Sequence, residues 1–209
     1  MPDTGSLLAF LGAAMLLLLL PGPGVAYVVA RSLSQGRGAG IASAAGLSVG
    51  AALQALGATA GLSAVLLASS AAFGVVKGLG AAYLIYLGLR IIMAPQVAGS
   101  DAPMTLRSHR RLFRDGVVVS VLNPKITIFF MAFLPQFADP GRGSLTGQIL
   151  LLGILYSLLA FVTDSGYALV AASVRTRFSS AVMGGPVPRY ASGAVYIGLG
   201  VGTAFTERR

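Results

Sequence analysis

Leu16-Leu17-Leu18-Leu19-Leu20-Pro21-Gly22-Pro23-Gly24-Val25-Ala26 interrupts one apolar run, and Val121-Leu122-Asn123-Pro124-Lys125-Ile126 interrupts another in the second half of the chain. A continuous helix satisfies its own backbone inside lipid, whereas a proline deletes one N–H donor and frees a carbonyl one turn earlier. The freed groups need a neighbouring helix, ordered water or a bound solute. A pair of interrupted spans in matching halves is the strongest sequence pointer to a transport path.

Composition sets the solvent around these runs. Of 209 residues, 56% are hydrophobic and 10% charged, and the mean hydropathy is +0.82. That is too apolar, over runs too long, for a soluble core. The expected fold is an all-α integral membrane protein forming a single transmembrane domain over 1–209. Six segments reach the ~20 residues that a ~30 Å hydrocarbon slab requires. They lie at 6–30, 42–68, 72–93, 115–137, 147–173 and 190–206. The 28 glycines agree, because small residues let helices approach closely in lipid. Met1 to Ser6 carries Asp3 and no Lys or Arg, and the apolar run passes Pro23 to Ala30. It therefore reads as a retained first span rather than a signal peptide.

The formal charge of +9 arises from basic residues at the ends of apolar runs, which excludes a nucleic-acid patch and points to membrane orientation. Arg31 and Arg37, then Arg90, Arg107, Arg110, Arg111 and Arg114, then Arg175, Arg177 and Arg189 flank alternate connections. These are expected to face the cytoplasm, which places both termini outside it. The connection 95–114, with Pro95, Pro103 and His109, divides the chain into two three-span halves. An odd number of spans per half makes any similarity between them an inverted repeat, with helices 1 and 4 broken by proline.

Within the spans, a few polar groups are expensive and therefore informative. Pro21-Gly22-Pro23-Gly24 reads as an unwound segment on a substrate path, or else as a kink. Asn123-Pro124-Lys125 puts an ammonium near mid-bilayer, at a cost of roughly 2.5–3.5 kcal/mol unless it is compensated. Asp164, deep in the fifth span, is its natural partner, a proton-binding group, or static glue between helices. Gln54 and Gln136 are weaker candidates, with packing or interface roles favoured. Tyr83, Tyr86, Tyr156 and Tyr167 read as interface or packing aromatics, and His109 as a solvated residue with no metal-ligand cluster around it. Gly46, Gly50, Gly57 and Gly61 make a small-residue face that serves either internal packing or a homodimer. The chain has no cysteine, hence no disulfide or thiolate site, and nothing in it calls for a metal or cofactor.

At these residues a resemblance becomes specific. Leu20-Pro21-Gly22-Pro23, the Gly46 to Gly50 spacing, Lys77 through Gly88, Leu122-Asn123-Pro124-Lys125, Phe133-Leu134-Pro135-Gln136-Phe137 and the ending Ser192-Gly193 through Gly198-Leu199-Gly200 occur in order along nearly the whole chain. Together they resemble the LysE/RhtB family of amino-acid exporters. The resemblance implies a bacterial inner-membrane exporter of amino acids or close derivatives, driven by the proton motive force, with Pro21–Gly24 and Asn123–Lys125 on the transport path. Where members of that family often carry an acid followed three residues later by histidine, this chain has Ala51 and Gln54. Proton coupling would then fall to Asp164 alone or take another route.

The expected function is secondary efflux of a small zwitterion, with the lipid bilayer and protons as further partners. Lys125 would draw the substrate carboxylate, the carbonyls of Pro21–Gly24 would face its ammonium, and Asp164 would pair with Lys125 in the empty state. Two alternatives belong to other classes, an intramembrane lipid-modifying enzyme and a structural partner of another membrane protein. The first needs a cluster of acids, histidines or serines at one depth, and the second gives no reason to keep Lys125 and Asp164 in lipid.

Overall fold

The computed structural model describes residues 2–68, 75, 78, 82, 85, 86, 89, 93, 106–173, 197 and 201, with backbone alone over 62–68. The described residues are helical throughout, joined by short turns. Most of each of the spans expected at 72–93 and 190–206 lies outside them, as do Lys77, Arg90, Arg175, Arg177, Arg189, Arg208 and Arg209.

The first expected span is two helices. Asp3 caps helix α1, Thr4–Leu18, by accepting hydrogen bonds from the Ser6 N–H at 2.9 Å and the Ser6 hydroxyl at 2.8 Å. The prolines then end α1. Gly22 is the N-cap of α2, Pro23–Gln35, and Pro23 holds its first turn, where a missing donor costs nothing. The axes of α1 and α2 differ by 55°. Arg31, expected in the connection after this span, is instead a buried residue of α2, with its guanidinium carbon 5.5 Å from the centre of the Tyr27 ring. Gly36, at φ +87°, supports the sharp turn into α3, Arg37–Ala68.

The fourth expected span begins earlier than its hydropathy suggests. Ser108 caps α4, His109–Val121, so the stretch read as a connection over 95–114 is helical from His109 onward. The Ser108 cap and the good helix propensity of the arginines start the helix ahead of the apolar run. After a break at Leu122 and Asn123, α5 covers Pro124–Ile128 and runs into a π-helical turn at Phe129–Phe133 and a 3₁₀ turn at Leu134–Phe137. The two arms of this span differ in direction by 48°. A short 3₁₀ turn at Pro140–Arg142 leads to α6, Leu145–Ser173. Helices α3 and α6 are each long and apolar enough to cross a membrane, and each bent pair qualifies when its arms are taken together. The described residues thus supply up to four spans.

Helix α3 lies between α4 and α6. A Cβ on Gly46 would overlap the Phe113 carbonyl, and one on Gly116 would lie 2.6 Å from the Ser43 carbonyl oxygen. On the other side, a Cβ on Gly153 of α6 would overlap Ala55. These glycines allow near backbone contact, the usual route to tight helix packing in lipid. Gly46 and Gly50 are thereby committed to packing within the chain, whereas among the described residues nothing lies within 4 Å of a Cβ on Gly57 or Gly61.

Candidate functional site

Each proline break exposes a particular carbonyl, and a side chain from another helix answers it. In a helix, residue i donates its N–H to the carbonyl of i−4. Pro21 therefore leaves Leu17 without its i+4 donor, so that its carbonyl keeps only the Leu20 N–H at 3.3 Å, and the end of α1 at Leu18 leaves the Leu19 and Leu20 carbonyls without helical donors. The Lys125 ammonium donates to the Leu17 carbonyl at 2.7 Å and to the Leu20 carbonyl at 3.0 Å. The Tyr167 hydroxyl donates to the Leu19 carbonyl at 2.7 Å. Pro124 likewise frees the Ser120 carbonyl, which accepts from the Asn123 N–H at 2.9 Å and from the Gln54 side-chain amide. Gln54 spans the break, since its own carbonyl oxygen accepts the Thr127 hydroxyl at 3.1 Å on the far side.

Lys125 is 7% exposed and Asp164 6% exposed, and both line one internal cavity. The cavity holds about 30 Å³ of space, room for a water molecule or two. Gly22 and Gly24 of the first break and Asn123 of the second share its wall with Tyr156, Ala160 and Asp164 of α6. A Cβ on Gly22 would lie 3.6 Å from the Lys125 ammonium, so the small residue leaves that approach open. Asn123 also orders the second break, its side-chain oxygen accepting the Lys125 N–H at 3.1 Å.

Apolar clusters flank the pocket. Tyr156, on its wall, packs edge-on to Phe130 at 4.9 Å and lies 5.3 Å from Phe129, and Phe133, Phe137 and Phe10 extend this aromatic cluster. Leu47, also on the wall, belongs to an aliphatic cluster with Val28, Ala44 and Ala168.

Among the described residues, Lys125 and Asp164 form no salt bridge with one another; they face a common space. The pair is thus held across that space rather than as a contact ion pair, with the Leu17 and Leu20 carbonyls at the end of α1 taking hydrogen bonds from the ammonium. Of the proline motifs, Gly22, Gly24, Asn123 and Lys125 reach the cavity wall, while Pro21, Pro23 and Pro124 shape the breaks without lining it. Gln136 also lies off the wall and bonds back to the Ala132 carbonyl at 2.7 Å. Two residues read as packing groups have more specific positions. Tyr156, Ala160 and Asp164 follow each other at intervals of four, and Tyr167 comes three further on, so one face of α6 carries the wall and the cap. That spacing was a signal available in the sequence. The pairing of Gln54 with Ser120 had none, since it depends on how α3 crosses α4. Among the described residues, no three His, Asp or Glu side chains converge as a metal site requires.

Residues 5–206 match the LysE type translocator family. The chain belongs to that family. It is 34% identical over 163 residues to the homoserine/homoserine lactone efflux protein of Salmonella typhimurium, covering 78% of this chain and 79% of that one. It is 32% identical over 131 residues to the leucine efflux protein of Salmonella choleraesuis, covering 62% of each. An uncharacterised membrane protein of Vibrio cholerae is 32% identical over 173 residues, covering 80% of this chain and 81% of the relative. No solved structure matches at a significant level. As a LysE type translocator, this is a membrane protein whose relatives include amino-acid efflux proteins.

Proposed function

We propose that this LysE type translocator exports amino acids or close derivatives across the bacterial inner membrane as a secondary transporter driven by the proton motive force. The observation that carries the reading is the Lys125 ammonium on the Leu17 and Leu20 carbonyls, with Asp164 on the same cavity wall. An α-amino acid presents an ammonium and a carboxylate a few ångströms apart. Its ammonium can replace that of Lys125 at the two carbonyls, and the released Lys125 then meets its carboxylate. The lysine thus holds the ammonium subsite in the empty protein, and loading exchanges one charge-assisted set of hydrogen bonds for another. Asp164 faces the exchange on the same pocket wall and is the group to carry a proton.

A cavity of about 30 Å³ is too small for an amino acid, so loading requires the closed form to open. The breaks between α1 and α2 and between α4 and α5 are the places for that movement, because backbone there is held by side chains rather than by a continuous helical ladder.

The deciding measurement uses purified protein in proteoliposomes with an imposed pH gradient and labelled homoserine, leucine and a wider amino-acid panel. Uphill flux that a protonophore abolishes supports export. Flux that only dissipates a gradient would indicate a channel, and no binding or flux from folded protein would end the exporter reading.

A further inference from the structure

Three guanidinium groups converge at the start of α4. Arg110, Arg111 and Arg114, with Ser108, Asp115 and Val118, line an open pocket of about 610 Å³. The pocket's carboxylate does not neutralise them, because Asp115 is paired with Arg107. Among the described residues, no acid reaches Arg110, Arg111 or Arg114. Membrane orientation explains an excess of arginine at this end of a span, but not its gathering into one concave, uncompensated site.

The outward face of α4 continues from charge to hydrocarbon. Arg111, Arg114, Val118, Val121 and Leu122 follow at intervals that keep them on one side of the helix. Val118 is 55% exposed, Val121 42% and Leu122 74%. The opposite face, with Leu112, Gly116 and Ser120, is buried, Gly116 closely against α3. The outer face therefore offers a cationic pocket that opens directly onto an apolar strip at the boundary of a membrane span. A free phosphate would use only the first of these, whereas a phospholipid uses both.

We propose that Arg110, Arg111 and Arg114 bind the phosphate headgroup of an anionic phospholipid whose acyl chain lies along Val118, Val121 and Leu122. Guanidinium forks suit phosphate oxygens, and basic pockets flanking transmembrane helices are the usual seat of such lipids.

The test uses the full-length protein, purified in detergent, and its melting temperature with added phosphatidylglycerol, phosphatidylcholine or inorganic phosphate. Phosphatidylglycerol is expected to raise the melting temperature by several degrees more than either other addition, with the difference shrinking as salt is added. The triple variant Arg110→Gln/Arg111→Gln/Arg114→Gln should lose that difference, and Arg142→Gln, which removes one positive charge elsewhere, should keep it. Should the triple variant not fold, native mass spectrometry of the three single variants decides, each being expected to retain less phosphatidylglycerol than the parent. Equal stabilisation by the two lipids, or a full phosphatidylglycerol effect in the triple variant, would overturn the proposal. An equal effect of inorganic phosphate would replace the lipid site with a free-anion site.

Discussion

The hydroxyl of Tyr167 donates to the main-chain carbonyl of Leu19 at 2.7 Å, and Leu19, the residue just past the end of α1, has no helical donor for that carbonyl. A side chain on α6 thus completes a backbone position in the first span, and it sits three residues from Asp164. The break between α1 and α2 is tied to the helix bearing the acid of the candidate site.

Tyr167→Phe removes that donor while keeping the ring. Loss of about 0.5–1.5 kcal/mol is expected, the net worth of one hydrogen bond at a half-exposed position. Thermal melts should show the loss, and export should weaken in protein that still reaches the membrane. An unchanged melting temperature would mean that water or lipid headgroups serve Leu19 as well.

Lys125→Met should abolish export and destabilise more than Asp164→Asn, since it leaves the Leu17 and Leu20 carbonyls as well as Asp164 without the ammonium. In the double variant, removing the acid relieves only the stranded charge. Its stability should therefore rise above that of Lys125→Met yet stay below the parent, as read by melting in detergent. Return to parental stability would show that the two groups depend on each other alone.

Gln54→Leu should cost about 0.5–1.5 kcal/mol per hydrogen bond lost, because the Ser120 carbonyl keeps the Asn123 N–H while the link from α3 to Thr127 is lost. Gln54→Glu keeps the acceptor and loses the amide donor, so it should be no better. If both variants melt with the parent, the span 4 break does not rely on α3.

Alanine at glycine positions separates internal packing from an outer face. Gly46→Ala and Gly116→Ala should each destabilise, because the new methyl group meets backbone that cannot move cheaply. Gly57→Ala adds a methyl that meets none of the described residues and should be neutral, or stabilise by about a few tenths of a kcal/mol through helix propensity. Melting temperatures and size-exclusion profiles check both, and a dimer lost only in Gly57→Ala would place a subunit contact on that face.

Orientation is testable because the chain has no cysteine. Ser108 and Ser144 are both exposed, at opposite ends of the fourth span. Cysteines introduced singly should react with an impermeant reagent from opposite sides, Ser144→Cys from outside. Labelling of Ser108→Cys from outside would invert the topology.

Membrane character, the two broken spans and the candidate residues Lys125 and Asp164 were legible in the chain itself, because each is local. Twenty apolar residues span lipid whatever they pack against, a proline removes its donor in any fold, and a charge inside such a run is costly at any neighbour. The family resemblance was legible for the same reason, as ordered local motifs. Three things needed the tertiary structure. Lys125 answers the Leu17 and Leu20 carbonyls rather than pairing directly with Asp164, Gln54 and Tyr167 serve carbonyls 66 and 148 residues away, and the arginines of α4 gather into one pocket. A freed carbonyl announces in the sequence that it needs a donor. Which donor arrives is decided by helix crossings, and those crossings are set by where glycines such as Gly46 and Gly116 let one backbone lie against another.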